Sequence, residues 1–152
     1  MDASEIMSSR VHTIRSDATV VDAANTMLNH NISALPVVND SDKLVGIMSH
    51  SDFFLMPIND PGMRGTVFEI FGNIFVNRDN IGNLHSVLSR TLVSDVMSSP
   101  VVTVREGTQV EEIVSIMHRR RLKRLPVVRD DKLVGIITRH DFVRLAATIG
   151  RE

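Results

Sequence analysis

The sequence contains the same unit twice. Of 49 aligned pairs, 21 are identical when residues 5–40 are placed over 95–130 and residues 42–54 over 131–143. The longest shared word is Asp-Lys-Leu-Val-Gly-Ile, which occurs once in each copy. Such a repeat predicts that one supersecondary unit is used twice. Because units of this length seldom bury enough surface to be stable alone, we expect the two copies to pack on one another.

Both copies show the same change in hydrophobic period. An extended segment comes first, at Thr13 in one copy and Thr103 in the other, and apolar residues at helical spacing follow. Two β-rich segments come next, and Ser49 or Thr138 then stands where a helix N-cap belongs. The predicted fold class is α+β, with two pseudo-symmetric β-α-β-β-α repeats packed through their sheets. The predicted domains are repeat 1 at 1–55, a connecting insertion at 56–92 and repeat 2 at 93–152.

The insertion has no counterpart after repeat 2. Pro57, Pro61 and Gly62 predict a loop-like beginning. Apolar residues at helical spacing across 66–76 predict a helix, and 83–92 predicts a second short one. Five of the six Phe residues fall between Phe53 and Phe75, which is too apolar for a free linker. Two interpretations remain open: a cover over the core, or a surface for a second subunit or a client protein.

Composition excludes several classes of function. The chain carries 17 Lys and Arg against 18 Asp and Glu, so it lacks the basic excess of a nucleic-acid-binding domain. It has no Cys, hence no thiolate nucleophile or disulfide. No apolar run approaches the roughly 20 residues that cross a bilayer, and the first residues lack a basic signal start, so we expect a cytoplasmic protein without a membrane partner.

The sequence does not indicate catalysis. It has no Gly-x-Ser-x-Gly elbow and no Gly-rich Walker loop, and its six His residues include no pair at helical metal-ligand spacing. We therefore expect no catalytic residue, no metal ligand and no enzyme.

The order of the segments and their words resembles the cystathionine β-synthase (CBS) domain. The resemblance is carried by the Leu-Pro-Val-Val strand and by the ending Gly-Ile-x-[Ser/Thr]-x-x-Asp-Phe, at 46–53 and 135–142. It implies a tandem CBS pair, or Bateman module: two repeats about a pseudo-twofold axis, with clefts that take adenosine-containing ligands. It also implies that two modules dimerise into a flat disk.

The same ending suggests a binding chemistry. Ser49 and Thr138 each offer a hydroxyl at the start of a helix, where free backbone N–H groups favour phosphate. Asp52 and Asp141 follow three residues later, where a carboxylate can accept hydrogen bonds from two ribose hydroxyls. However, [Ser/Thr]-x-x-Asp is also a capping-box pattern that closes a helix and binds nothing. Both interpretations stand at this point.

The resemblance also implies contacts at positions beside the cleft. Thr13 and Thr103 belong to this set, although either is equally explained as an ordinary strand residue. In repeat 2, Lys123, Arg124 and His140 match positions that reach ligand phosphates in the family. The corresponding residues of repeat 1 are Ser33, Ala34 and Ser51, which bring no charge. We therefore expect an asymmetric module in which repeat 2 prefers the more highly charged phosphate ligand.

The predicted function is a regulatory sensor that binds an adenosine nucleotide and requires no cofactor. Candidate ligands are AMP, ADP, ATP and S-adenosylmethionine, and the predicted assembly is a homodimer that can engage a client protein. The alternative is a constitutive dimerisation or scaffold module with empty clefts.

Overall fold

The computed structural model describes residues 1–74 and 80–151. The elements are α1 (Ala3–Ile6), β1 (Ile14–Arg15), α2 (Val20–His30), β2 (Ala34–Val38), β3 (Leu44–Ser49), α3 (His50–Phe54), β4 (Pro57–Asp60), β5 (Met63–Thr66), α4 (Val67–Ile74), α5 (Asn80–Arg90), β6 (Val104–Arg105), α6 (Val110–Arg119), β7 (Arg124–Arg129), β8 (Lys132–Thr138) and α7 (Arg139–Thr148). The first repeat forms β1, α2, β2, β3 and α3, and the second forms β6, α6, β7, β8 and α7, so the predicted β-α-β-β-α order is confirmed.

The chain divides into two compact units. Unit 1 consists of residues 1–11, 42–44 and 102–152, and unit 2 consists of 12–41 and 45–101. Each unit therefore combines the main part of one repeat with the lead-in segment of the other, which is 1–11 for repeat 1 and 93–101 for repeat 2. The predicted repeat boundaries follow the duplicated sequence, whereas each of these units is a group of residues that pack together.

Unit 1 is built on a three-stranded sheet in the order β6-β7-β8. β6 runs parallel to β7, and β8 pairs with β7 in the antiparallel sense through a two-residue turn at Asp130-Asp131. Both turn residues have positive φ, at 51° and 64°, as a tight hairpin requires. The core contains Ile113 and Met117 of α6 and Ala3 and Ile6 of α1, together with Val104, Leu125, Val127 and Ile137 of the strands.

Unit 2 repeats this plan with β1-β2-β3. Helix α2 begins at a complete capping box, in which Thr19 and Asp22 each accept the other's backbone N–H. Its buried residues, Val20, Ala23 and Met27, recur at helical spacing and face the sheet. The helix ends at Asn31, whose left-handed φ of 51° is typical of a C-terminal cap.

The insertion begins with a β-hairpin, so the prediction of a loop-like start was wrong. β4 and β5 pair in antiparallel fashion, with Pro61-Gly62 forming the turn. Pro57 is the first residue of its strand, where the missing N–H is tolerated. Ile58 and Met63 are buried, and their burial outweighs the local turn chemistry on which the prediction relied.

The two predicted helices of the insertion are present as α4 and α5. The last two residues of the first prediction, Phe75 and Val76, lie outside the described residues. Val67 and Ile70 of α4, and Leu84 and Leu88 of α5, belong to the same apolar cluster as α2. The insertion is thus part of the core of unit 2, as the covering interpretation predicted, while its use as a partner surface stays a prediction.

Each final strand is paired with a lead-in segment inside its own unit. In unit 1, Ser8 exchanges backbone hydrogen bonds of 2.9 and 3.0 Å with Ile136. In unit 2, Ser98 does the same with Ile47, at 2.8 and 3.0 Å. Gly135 and Gly46 lie next in these strands, and the side chains of Met7 and Met97 occupy the space where a Cβ atom would stand. The glycines of the shared word therefore permit a close approach.

Across residues 1–74 and 80–151, no helix combines the length and apolar character that a bilayer-spanning segment requires.

Candidate functional site

The predicted site residues of repeat 2 gather at one end of the β6-β7-β8 sheet. Thr103 immediately precedes β6, Arg124 begins β7, and Thr138 ends β8. Since β7 and β8 are antiparallel, Arg124 and Thr138 are direct register partners. This end of the sheet leads straight into α7, so the strand residues and the helix start share one edge.

The start of α7 lies beside the residue that precedes β7. The N–H of Arg139 donates to the carbonyl of Lys123 at 3.4 Å, which ties the helix to the strand connection. The Lys123 and His140 side chains are exposed, while Arg124 is half-buried and has an interaction partner within the protein. These three residues therefore place basic or titratable groups around one helix N-terminus.

Asp141 is buried, with 3% of its surface exposed. Its Oδ2 accepts hydrogen bonds from the backbone N–H of Thr138 at 2.7 Å and from the Thr138 hydroxyl at 3.0 Å. Its Oδ1 accepts from the Ser8 hydroxyl at 3.2 Å and from Arg144 Nη2 at 2.8 Å. A carboxylate has about four acceptor directions. All of them are therefore in use in this structure.

Repeat 1 has the same arrangement in unit 2, with one difference. Asp52 Oδ2 accepts from the Ser49 backbone N–H at 2.8 Å and from the Ser49 hydroxyl at 3.1 Å. Its Oδ1 accepts from the Ser98 hydroxyl at 2.8 Å. The residue equivalent to Arg144 is Leu55, which has no donor in its side chain. Within the part of the chain that the structure describes, Asp52 therefore keeps about one acceptor direction open.

Both acids form the capping arrangement that sequence analysis held open against ligand binding. Ser49 and Thr138 are N-caps, and each is bonded to the acid three residues later. This geometry orients the carboxylate, and it also consumes acceptor capacity that a ribose needs. Capping and binding are compatible only where a donor can be displaced or an acceptor direction is left.

The other predicted residues of repeat 1 also lie at the corresponding sheet end. Thr13 precedes β1, and the carbonyl of Ser33, before β2, accepts the N–H of His50 at 3.0 Å. The helix that follows, α3, has five residues, whereas α7 has ten. A shorter helix sums fewer peptide dipoles, so the phosphate attraction predicted for Ser49 is weaker than that for Thr138.

Sequence reasoning missed three residues that contact the acids: Ser8, Ser98 and Arg144. Ser8 and Ser98 occupy the same place in the word Met-Ser-Ser, which occurs once in each copy and by itself indicates only the duplication. Their partners lie far along the chain, so no local spacing pointed to them. Arg144 follows Asp141 by three residues on α7, a spacing that does predict side-chain contact.

Two cavities of unit 1 lie elsewhere. One, of about 470 Å³, is formed by residues 105–107 and 128–131, around the hydrogen-bonded pair Arg129 and Glu106. The Glu106 carboxylate raises the pKa of Arg129 above its ordinary value through that hydrogen bond. The other, of about 310 Å³, is lined by Val114, Met117, His118, Leu122, Arg139 and Phe142. Neither is lined by a residue of the predicted site.

Comparison with known protein families finds the CBS domain in two segments. The model of this domain matches residues 3–56 and 93–148. Both matched segments end within or just after the helix that carries the acid.

Comparison with individual proteins finds similar chains in enzymes and in CBS-pair proteins. An inosine-5'-monophosphate dehydrogenase of Methanocaldococcus jannaschii is 34% identical over 93% of this chain, which spans 23% of that enzyme. The chloroplastic CBS domain-containing protein CBSX2 of Arabidopsis thaliana is 30% identical over 93% of this chain, which spans 61% of that protein. The chain thus spans less than two thirds of these relatives.

Solved structures show the same architecture. The CBS domain of a CBS domain-containing membrane protein from Sphaerobacter thermophilus has a TM-score of 0.77 and 33% identity, covering 95% of this chain and 87% of that one. CBSX2 crystallised in complex with AMP has a TM-score of 0.70 and 26% identity, covering 97% of both chains.

Proposed function

The chain belongs to the CBS-domain family as a tandem pair, and from this premise we propose that it is a regulatory module that binds an adenosine nucleotide and catalyses no reaction. The observation that supports this proposal most is the gathering of hydroxyl, carboxylate and basic groups at one sheet end of unit 1. The AMP complex of the related CBSX2 supports the ligand class. In the dehydrogenase relative, this chain corresponds to a minor part of an enzyme, and we propose a regulatory role for that part as well.

Each proposed site residue has a role that its position allows. Thr138, with the N-terminus of the ten-residue α7, binds phosphate through its hydroxyl and through backbone N–H groups. Lys123, Arg124 and His140 add donors for the same phosphate, and charge-assisted hydrogen bonds of this kind are the strong ones. Asp141 accepts the ribose hydroxyls.

The corresponding site of repeat 1 has a different character. Ser49 and Ser33 offer hydroxyl groups, and Asp52 offers a carboxylate with an open acceptor direction. No Lys or Arg stands at the positions equivalent to Lys123 and Arg124. We propose that this site, with Thr13 beside it, suits a less anionic adenosine compound.

Calorimetric titration with AMP, ADP, ATP and S-adenosylmethionine tests the proposal. We expect measurable heat and a raised melting temperature with at least one nucleotide, because a ligand that binds only the folded protein stabilises it. Adenosine is the matched control for phosphate recognition. Flat heats and unchanged melting with all four compounds would reject nucleotide binding.

A second candidate is a constitutive scaffold, and one feature of unit 1 favours it. Val114 on α6 and Val143 on α7 are 47% and 66% exposed, and the two helices border the 310 Å³ apolar cavity. Exposed apolar surface of this kind is typical of protein contacts. We propose that a homodimer forms through this face and that a client protein is a further partner. We also propose that the protein is located in the cytoplasm.

A further inference from the structure

The hydroxyl groups of Ser8 and Ser98 occupy the acids that the proposed function assigns to ribose. Ser8 Oγ donates to Asp141 Oδ1 at 3.2 Å, and Ser98 Oγ donates to Asp52 Oδ1 at 2.8 Å. A ribose hydroxyl is also an alcohol that donates to a carboxylate oxygen. The protein therefore supplies, from its own lead-in segments, the same chemical group that a nucleoside would bring.

We propose that Ser8 is an internal competitor of the ribose: a bound nucleoside replaces the Ser8 hydroxyl on Asp141, and Ser8 thereby sets the affinity of this site. The inference rests on the proposed function, since it requires that Asp141 accept a ribose. Ser98 has the same role toward Asp52.

Ser8 is the donor of Asp141 that is easiest to displace. Its hydrogen bond, at 3.2 Å, is the longest of the four. Two of the others come from Thr138, whose backbone N–H is fixed at the helix start, and the third comes from a charged guanidinium. Hydrogen bonds from charged donors are the stronger ones.

The displacement does not require the lead-in segment to move. The backbone of Ser8 is held to β8 by two hydrogen bonds with Ile136, and these do not involve the side chain. Rotation of a serine hydroxyl about χ1 moves between ordinary staggered positions. The competitor can therefore leave the carboxylate while the packing of Met7 on Gly135 is retained.

Arg144 makes the two sites unequal. In unit 1 it donates to Asp141 Oδ1 at 2.8 Å and to the carbonyl of Ile6 at 3.1 Å, so it is anchored at two points. Among the described residues of unit 2, Asp52 has no such partner, and one acceptor direction remains. Two ribose hydroxyls need two acceptors. At Asp52 the loss of Ser98 provides the second, whereas at Asp141 both Ser8 and Arg144 must yield.

The test compares AMP binding by wild-type protein, Ser8→Ala and Ser9→Ala. Ser8→Ala removes one hydrogen bond from the free state only, so we expect AMP to bind about fivefold more tightly, the factor that corresponds to one ordinary net hydrogen bond. Ser9→Ala is the matched control, since Ser9 is the next residue and its own hydroxyl makes no hydrogen bond within the described residues. Its affinity should equal that of wild type.

A second readout separates competition from a general structural effect. The gain in Ser8→Ala should be present for AMP and absent for its 2',3'-dideoxy counterpart, which has no ribose hydroxyl to take the vacated position. If wild type binds AMP but Ser8→Ala binds it equally or more weakly, Ser8 is not a competitor and the inference is wrong. If no variant binds any nucleotide, the proposed function fails, and the inference fails with it.

Discussion

At the scale of residues, the carboxylates of Asp141 and Asp52 cap their helices and are also the groups that we propose to recognise ribose. Asp141 and Asp52 stand at equivalent places in the duplicated sequence, yet the donors to their carboxylates differ by one guanidinium, that of Arg144. From Lys123, Arg124 and His140, repeat 2 is predicted to prefer the more highly charged phosphate ligand. The structure adds a further cation, Arg144, which bonds to the acid itself and occupies an acceptor direction that a ribose hydroxyl would need.

The hydrogen bonds predict a difference in stability between two matched variants. Asp141→Ala removes the acceptor of four donors in a buried place, and we expect it to lower the free energy of unfolding by about 2–3 kcal/mol. Asp52→Ala removes the acceptor of three donors in a less buried place, and we expect about 1–2 kcal/mol. Urea denaturation measures both. A cost for Asp52→Ala equal to or above that of Asp141→Ala would contradict the assignment.

At the scale of elements, the fold of each repeat could be predicted because local signals agree with one another. The helical spacing of Val20, Ala24 and Met27, the short β-rich words and the N-cap residues all predict the same order. The hairpin β4-β5 could not be predicted in this way, since Pro and Gly at its turn and Pro57 at its start indicate a loop locally. Its strands are fixed by the burial of Ile58 and Met63, which is a tertiary effect.

In the candidate site, too, residues close together in the sequence could be predicted, whereas contacts between residues far apart in the sequence could not. Thr138 and Asp141 could be found from sequence because they lie three residues apart. Ser8 contacts Asp141 across a separation of 133 residues, and only the folded chain brings them together. Whether the predicted residues bind a ligand stays a prediction, because their arrangement also serves as a helix cap.

A glycine is required at position 135 in β8, because the Met7 side chain of the lead-in segment packs against it. Ala at Gly135 would overlap the Met7 side chain, and we expect Gly135→Ala to lower the free energy of unfolding by about 1–3 kcal/mol. Gly135→Ala should cost less in a Met7→Ala background than in the wild type, because the shorter side chain at position 7 leaves room for the added Cβ atom. Gly72→Ala, in helix α4 with open space around it, is the control and should be neutral or stabilising. Equal melting temperatures for both alanine variants would contradict the packing described here.

Substitutions on the two faces of α5, in the insertion, should differ in how far they lower the free energy of unfolding. Leu84 is buried in the cluster of unit 2, so Leu84→Ala should cost about 2–5 kcal/mol of unfolding free energy. Ile81, on the same helix, is 49% exposed, so Ile81→Ala should change the free energy of unfolding by about 0.5 kcal/mol or less. Thermal or urea denaturation distinguishes them. If Leu84→Ala were as mild as Ile81→Ala, α5 would not be part of the core.

At the scale of the whole molecule, the nearly balanced charge and the family membership favour small ligands and proteins as binding partners.

The proposed dimer face on α6 and α7 gives a prediction of its own. Val143→Glu places a charge on exposed apolar surface, which should weaken association and leave the monomer folded. Ile149→Glu, at an equally exposed position beyond α7, is the control. Light scattering coupled to size exclusion measures the mass of each variant. A wild type that is monomeric, or a Val143→Glu variant that dimerises as wild type does, would refute this face.

The proposed function depends most on the recognition of ribose by the capped carboxylates. Calorimetry of the wild-type protein with AMP and with 2'-deoxy-AMP, at the same salt concentration, measures this recognition directly. We expect AMP to bind about tenfold more tightly, since a hydrogen bond from ribose to a carboxylate is charge-assisted. Equal affinity for the two nucleotides would mean that Asp141 and Asp52 cap their helices and do nothing more.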